Sequence, residues 1–352
     1  MTMTLLNPGP ANTTLSVKLA QVVEDICPRE KEFGEVMESI ANGLLEFVQG
    51  GENPKAVLLS GSGTLAVECA ISSALRETHK LAIIVNGAYG QRMEEIASVH
   101  GLNFVSFKSD FLQPLDINSI REFLLRERPD FIALIHSETT SGLLNDISAI
   151  SRIAKEIGAK VIADCMSSYA CYEISLDEVD FIIASSNKNI QGMPGVSFVI
   201  ANEANILEAG NAKSLYLNLK AEYEYFKSTL QMRFTPPVQT LYALNQAIIE
   251  LKNEGLKRRF ERYKANNTLL RQGLQDLGFE IYPKDSFGVI ITAIALPDSI
   301  DFHCLHAHCK KYGYTIYPGK IAGLHMFRIA NIGAITPNDI AGFLRVLKDF
   351  IS

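Results

Sequence analysis

The sequence carries no excess of basic residues. Its 33 lysines and arginines are outnumbered by 39 aspartates and glutamates, a net charge of −6. Nucleic-acid binders show the opposite, a basic surplus gathered on one face, so no nucleic-acid partner is expected. There is no run of the ~18 apolar residues that a membrane span requires, so no membrane partner is expected either. Met1 to Pro10 has no basic start followed by an apolar stretch, and no secretory leader is read there. Cysteine is sparse, six in 352 residues (Cys27, Cys69, Cys165, Cys171, Cys304 and Cys309). A chain this large needs no disulfide staples, so these are expected as reduced thiols, mostly in the core. A cytoplasmic location follows from these absences. Internal repeats and low-complexity tracts are also lacking, as is the Gly-Lys-Ser/Thr of a Walker A loop.

What is present points to a large α/β protein. Hydrophobic residues make up 47% of the chain, enough for a sizeable core. Short apolar runs lie at Ala56–Leu59, Leu81–Val85, Phe131–Ile135, Val161–Ala163, Phe181–Ala184 and Ser197–Ala201. Amphipathic stretches separate them, at Thr64–Leu75, Arg92–His100, Ile117–Arg126 and Ile147–Ile157. Strands alternating with helices predict a mostly parallel sheet covered on both faces. A long helical pattern runs from Leu241 to about Leu277. Beyond Gly278, strands are predicted at Glu280–Tyr282, Gly288–Ala295 and Thr315–Tyr317, with helices near Phe302–Tyr312 and Thr336–Ile351. The expected organisation is a large domain with an N-terminal arm over 1–255 and a smaller C-terminal α+β domain over 256–352.

In such sheets ligands sit beyond the carboxyl ends of the strands, so the residues following each apolar run matter most. After Leu59 come Ser60-Gly61-Ser62-Gly63-Thr64 and a helix. Free N–H groups at a helix start attract an anion, and Ser62 and Thr64 add hydroxyls. Ser-Gly turns also open helices in proteins that bind nothing. After Val85 comes Asn86-Gly87-Ala88-Tyr89-Gly90, where Tyr89 either lies on an aromatic ring or covers a loop. After Ile135 comes the polar run His136-Ser137-Glu138-Thr139-Thr140-Ser141-Gly142. After Ala163 stands Asp164, costly at the end of a buried strand unless paired. After Ala184 come Ser185-Ser186-Asn187-Lys188. Lysine is the residue that forms Schiff bases, and burial moves its pKa toward reactivity. Each feature has an ordinary structural explanation when taken singly. Their order is what a pyridoxal phosphate enzyme needs, with a hold on the cofactor's phosphate, ring face, ring nitrogen and aldehyde.

At these residues the sequence resembles the fold-type I aminotransferases of class V, and within them the 2-aminoethylphosphonate–pyruvate transaminase branch. The resemblance rests on Asn7-Pro8-Gly9-Pro10, Gly61-Ser62-Gly63-Thr64, Asn86-Gly87-Ala88-Tyr89-Gly90 and His136-Ser137-Glu138-Thr139-Thr140. It continues through Asp164 with Met166-Ser167-Ser168, Asn187-Lys188, Arg233-Phe234-Thr235, Ile316-Tyr317-Pro318-Gly319-Lys320 and Phe327-Arg328-Ile329. It implies pyridoxal 5'-phosphate as cofactor and Lys188 as the Schiff-base and proton-transfer residue. Asp164 pairs with the ring nitrogen, Tyr89 stacks on the ring, Thr139 borders it, and Ser62, Gly63 and Thr64 hold the phosphate. Thr235 is implied to reach the phosphate of a neighbouring subunit, which makes the protein a homodimer. Arg328 is implied to bind the substrate carboxylate, with Arg29 and Lys320 as further candidates for the substrate anion. The implied reaction is a ping-pong transfer of an amino group between a small-molecule amine and a 2-oxo acid.

The sequence departs from the branch in four places. The run before Lys188 is one residue shorter than usual, and Asn189 follows the lysine where a small residue is common. Ala330 replaces a glycine, and Pro236-Pro237 looks more like the alanine–glyoxylate relatives. The alternatives are therefore an alanine–glyoxylate or serine–pyruvate type enzyme, a lyase of the same superfamily such as a cysteine desulfurase, and a non-enzymatic paralogue. His303, Cys304, His306, His308 and Cys309 crowd one short helix. No single helical face gathers four of them, and an amphipathic surface helix without metal is expected.

Overall fold

The structure is a computed structural model that describes residues 3–319, 321 and 323–352. Among the described residues, seven strands build the main sheet. They are β1 (Pro54–Ser60), β2 (Lys80–Val85), β3 (Asn103–Lys108), β4 (Phe131–Ile135), β5 (Lys160–Asp164), β6 (Phe181–Ser185) and β7 (Val196–Asn202). Their spatial order is β1-β7-β6-β5-β4-β2-β3. All neighbours pair in parallel except β7, which runs antiparallel to both β1 and β6. The carboxyl ends of β1, β2, β4, β5 and β6 therefore share one edge of the sheet.

Side chains alternate across a strand, and here both faces are buried. Leu58, Ala82, Ile84, Ile132, Leu134, Ala163 and Ile182 face one core, against the helices Lys31–Leu45 and Val238–Glu254. Val57, Leu59, Ile83, Val85, Ala133, Ile162 and Ile183 face the other, against the helices Gly63–Ala74 and Ala88–Val99. Burial on both faces explains why the strands read as unbroken apolar runs. β3 escaped the pattern because it is an edge strand whose inner residues are only half-buried. The Lys31–Leu45 helix and the Leu219–Thr229 helix were also not anticipated.

The long helical pattern is two helices, Val238–Glu254 and Leu256–Asp276. Between them Gly255 adopts φ 79°, ψ 147°, a conformation outside the range open to other residues. Beyond it lies an antiparallel sheet of β8 (Ile281–Tyr282), β9 (Ile291–Ala295), β10 (Tyr317–Pro318) and β11 (Met326–Ala330), ordered β8-β9-β11-β10. It has its own core, with Leu270, Leu274, Ile294, Phe327, Ile329, Ile340 and Phe343. The strand expected over Thr315–Tyr317 is split. Tyr314–Thr315 pairs with Thr4–Leu5, buried Ile316 turns into the core, and Tyr317–Pro318 joins the small sheet.

The N-terminal arm spans both parts. Its Thr4–Leu5 strand and Leu6 are hydrogen-bonded to the C-terminal part, through Gly313 O, Thr315 O and the N–H of Ala330. Ala11 N–H then donates to Asn187 O, beside Lys188. None of the helices is long and apolar enough to cross a membrane, among the described residues.

Gly255→Ala tests the helix break. A methyl group there meets nothing within 4 Å, so only the backbone conformation resists it. Chemical denaturation should show a loss of about 1–3 kcal/mol. An unchanged midpoint would mean that the two helices are free to straighten into one.

Candidate active site

The carboxyl ends of the parallel strands open into one cavity, the place where ligands bind in sheets of this kind. Gly63, Thr64, Tyr89, Thr139, Asp164 and Lys188 all line it, together with Val67, Arg92, Ile135, Ser137, Met166 and Ser167. Five separate segments thus bring six of the expected residues to one place. The loops carrying them are short, and the strands beneath are fully buried, so the arrangement is held from below.

The anion end lies at the start of the Gly63–Ala74 helix. N–H groups of a first helical turn have no intrahelical acceptor. The approach is open because Gly63 lacks a side chain, and a Cβ there would strike the Met166 thioether. Arg92 Nη1 donates to Thr64 Oγ1 at 3.1 Å, and its guanidinium lies over the Tyr89 ring, 4.9 Å from the centroid. Arg92 was not singled out from the sequence. The signal was available, since it stands three residues after Tyr89 and so shares its helical face. Ser62 is the helix N-cap but is exposed, makes no capping bond, and is not part of the lining.

Asp164 is buried at the end of β5. Its Oδ1 accepts the Met166 N–H at 2.8 Å. Burial pushes its carboxyl up to about 6; the nearby Glu138 adds to the rise, while the Met166 N–H, Lys188 and Arg92 oppose it. No salt bridge reaches Asp164 among the described residues. A buried carboxylate so placed is suited to a cationic partner arriving from the cavity, as a protonated ring nitrogen would be.

Lys188 follows β6. Its Nζ donates to Pro8 O of the N-terminal arm. Gly9, at φ 134°, leaves the room this requires, and a Cβ at that position would overlap the lysine amine. The loop is anchored from behind. Asn189 Nδ2 donates to Ser167 O (2.8 Å) and Tyr169 O (2.9 Å), which ties the lysine's loop to the loop after Asp164. Arg259 Nη1 donates to Asn189 O at 2.5 Å, and Gln191 Nε2 to the Tyr263 hydroxyl at 2.8 Å. The asparagine that departs from the related sequences therefore has a clear job.

Arg328, on β11, is 1% exposed and lies behind the Thr139 wall. Nε donates to Pro318 O (3.0 Å) and Nη1 to Thr139 O (2.8 Å). Nη2 makes no well-aligned hydrogen bond among the described residues, and the Tyr89 hydroxyl beside it favours the guanidinium's charge. Ser137 Oγ, on the cavity wall, has no hydrogen-bond partner among them. Such incompletely bonded buried donors mark where a ligand's oxygens fit.

Besides Ser62 and the set-back Arg328, two more expected residues are not brought to this cavity by the single chain. Arg29 donates to Met232 O (2.5 Å), Arg233 O (3.2 Å) and Gln231 Oε1 (3.3 Å), bracing the segment that leads to Thr235. Thr235 itself is exposed, next to Phe234, whose ring stacks on Tyr216 at 4.9 Å. Lys320 lies outside the described residues. His136 faces away from the cavity, toward Tyr172 at 5.7 Å, and burial holds it neutral by pushing its pKa down to about 4.

The raised carboxyl of Asp164 has a measurable consequence for the protein without ligand. Its folded pKa lies above the unfolded value, so its contribution to stability is full below pH ~4 and is lost as pH rises through about 6. Asp164→Asn should therefore gain on the unliganded wild type across that window, by roughly 3 kcal/mol at most, with no further change above it. A difference in unfolding free energy that stays flat from pH 4 to 7 would contradict the buried, unpaired carboxylate.

Residues 12–330 match the family described as aminotransferase class-V. The chain is 39% identical, over 98% of its own length and 97% of the other's, to a 2-aminoethylphosphonate–pyruvate transaminase of Lactiplantibacillus plantarum. It is 36% identical to a bifunctional phosphonoacetaldehyde hydrolase/aminoethylphosphonate transaminase of Clostridioides difficile, which it matches over 99% of its own length but only 56% of the relative's. Its fold superimposes on an alanine–glyoxylate aminotransferase of Nostoc sp. with a TM-score of 0.93 and 24% identity, covering 100% of this chain and 96% of the other. The cavity fits a phosphate at one end, a protonated ring nitrogen at Asp164 and an aldehyde at Lys188, and the chain belongs to the class-V aminotransferases, which use pyridoxal phosphate.

Proposed function

We propose that this chain transfers the amino group of 2-aminoethylphosphonate to pyruvate, releasing phosphonoacetaldehyde and alanine. The observation that carries the choice of donor is the near full-length identity with 2-aminoethylphosphonate–pyruvate transaminases, 35–39% in several species. The likeness to the alanine–glyoxylate enzyme stands at 24% and speaks for the fold.

Pyridoxal phosphate, when bound, supplies a conjugated ring that takes up the electron pair left by the departing proton. The residues of the chain do the rest. The N–H groups of Gly63 and Thr64, with the Thr64 hydroxyl and Arg92, would hold the phosphate. Tyr89 would cover one ring face and Thr139 would border the ring. Asp164 keeps a proton on the ring nitrogen, which the low polarity of its surroundings makes favourable only while the two charges are paired. Lys188 Nζ accepts the proton from the substrate carbon and returns it one position away; the Pro8 carbonyl holds the amine when it is not so engaged. Arg328 clamps the substrate's anionic group. A planar guanidinium suits both halves of the reaction, because it can fork onto a carboxylate or a phosphonate.

The same reading makes the protein a homodimer, with Thr235 of one subunit completing the phosphate pocket of the other. Supporting it, Leu215 (75% exposed) and Tyr216 lie exposed beside that segment, where Arg233 Nη1 donates to Leu215 O and Tyr216 stacks on Phe234. It also places residues 1–255 and 256–352 as large and small domains. A cytoplasmic location is supported by six cysteines that are all free.

A panel of amino donors with pyruvate, scored by alanine formed, tests the donor. 2-Aminoethylphosphonate should exceed taurine, serine, glycine and aspartate, and Arg328→Ala should lower kcat/KM for pyruvate by roughly a hundredfold or more. Preference for serine or glycine would favour the alanine–glyoxylate type instead, and sulfide released from cysteine would favour a lyase.

A further inference from the structure

Glu138 is fully buried, yet the chemistry above makes no use of it. It stands between Ser137 and Thr139, both on the cavity wall, with its own side chain directed behind that wall. One carboxylate oxygen, Oε1, accepts the Thr140 N–H at 2.8 Å and the Thr140 hydroxyl at 2.5 Å. Thr140 Oγ1 in turn accepts the N–H of Ala88 at 3.2 Å. The Glu138–Thr140 pair thus closes the start of the Ala88–Val99 helix, where a negative charge is favoured. Tyr89 and Arg92, the ring plate and a phosphate-end cation, ride on that helix. The glycine at 87 follows from this contact. Its φ of 178° suits any residue, but a Cβ would overlap the Glu138 carboxyl group.

The other oxygen, Oε2, has no hydrogen-bond partner among the described residues, and Nη2 of Arg328 makes no well-aligned one there, with the Tyr89 hydroxyl as its neighbour on the cavity side. The guanidinium reaches the same short segment from the opposite domain, through Thr139 O. Two buried groups of opposite charge therefore meet around one peptide, each with an incompletely bonded atom. Such a pair is stable while its charges balance, and an added anion upsets that balance in a medium where water cannot screen it.

We propose that Glu138 is a positioning and charge-balancing residue for the substrate clamp: it fixes Tyr89 through Thr140, and it takes up a proton from solvent when an anion occupies Arg328 and returns it when the anion leaves. The proposal rests on Arg328 as the clamp, not on the identity of the donor. Its consequence is specificity. A clamp with a fixed charge suits either a singly charged carboxylate or a doubly charged phosphonate. A clamp with an exchangeable proton accommodates both in turn, which a two-substrate pocket requires. Burial already raises the Glu138 carboxyl above its ordinary range, while Thr140, the Tyr89 N–H and Arg328 oppose the rise. The other charged or titratable groups facing this assembly are the Tyr89 phenol and Tyr317 at Arg328, and Asp164, Lys188 and Arg92 across the cavity.

The test uses the holoenzyme and propionate, a carboxylate that does not titrate near neutral pH. Calorimetric titrations between pH 6 and 9, in buffers of different ionisation heat, count protons taken up per propionate bound. The cofactor's own protonation is read from its absorbance and subtracted. Wild type should take up a substantial fraction of a proton over part of this range, and its affinity should fall as pH rises. Glu138→Gln keeps the acceptor for Thr140 but removes the charge. It should lose that uptake and bind propionate with little pH dependence, about tenfold more tightly than wild type at the alkaline end. Glu138→Ala, which also removes the acceptor, should in addition lower kcat and disturb the cofactor spectrum. Should the glutamine variant fail to fold, infrared difference spectra of the wild type on adding propionate should show a buried carboxylic-acid band. Equal uptake in wild type and Glu138→Gln, absence of that band, or no propionate binding at all would overturn the proposal. Failure of 2-aminoethylphosphonate as donor would leave it standing.

Discussion

A carboxylate buried at the end of a β-strand, in no salt bridge among the described residues, is the constraint on which the site depends. Asp164 is held by β5 at the bottom of the cavity, where burial raises its proton affinity to about 6. Left alone it costs stability. In the proposed reading, a cationic ring nitrogen placed against it would convert that cost into affinity for a cofactor and into electron withdrawal from the ring. The lysine after the next strand, the helix start at Gly63 and Thr64, and Tyr89 line the same cavity as this one group.

The second theme is support from behind. Few of the residues that face the cavity stand unassisted. The lysine loop is tied to the aspartate loop by Asn189 and to the Leu256–Asp276 helix by Arg259 and by Gln191 with Tyr263. The N-terminal arm passes from the small sheet to the lysine, so Pro8 and Gly9 link that sheet to the Lys188 amine. Glu138 and Thr140 do the same for Tyr89, and Thr139 for Arg328. Rigid elements with hydrogen-bonded backing hold reacting groups closer to the required geometry than free loops do.

Much of this was legible in the sequence because each feature followed its own strand. Doubly buried strands produce unbroken apolar runs, and the residue after each run is then conspicuous; Thr64, Tyr89, Thr139, Asp164 and Lys188 were found in that way or through the family resemblance that their order supports. What stayed hidden depended on packing between distant segments. The break at Gly255 looked like one glycine inside a continuous helical pattern. β3 was too polar for an edge strand to be recognised. Arg92 could have been inferred from its spacing to Tyr89, but the hydrogen bond to Thr64 is a tertiary fact. Glu138 appeared only as one member of a polar run, since nothing local shows that Gly87 is a glycine because of a carboxylate fifty residues away. Ser62, offered by the pattern, and Arg29, offered with the family resemblance, lie outside the cavity lining of the single chain for the same reason.

The central claim is that the Lys188 amine is the cofactor's attachment point opposite Asp164. Titration of the unliganded protein with pyridoxal phosphate, followed in the visible range, measures it directly. Wild type should acquire the absorbance of a lysine-linked cofactor, Lys188→Ala should acquire none after removal of free cofactor, and borohydride reduction should leave the label on the peptide containing residue 188. A persistent visible band in Lys188→Ala, or a label on a different lysine, would contradict the account.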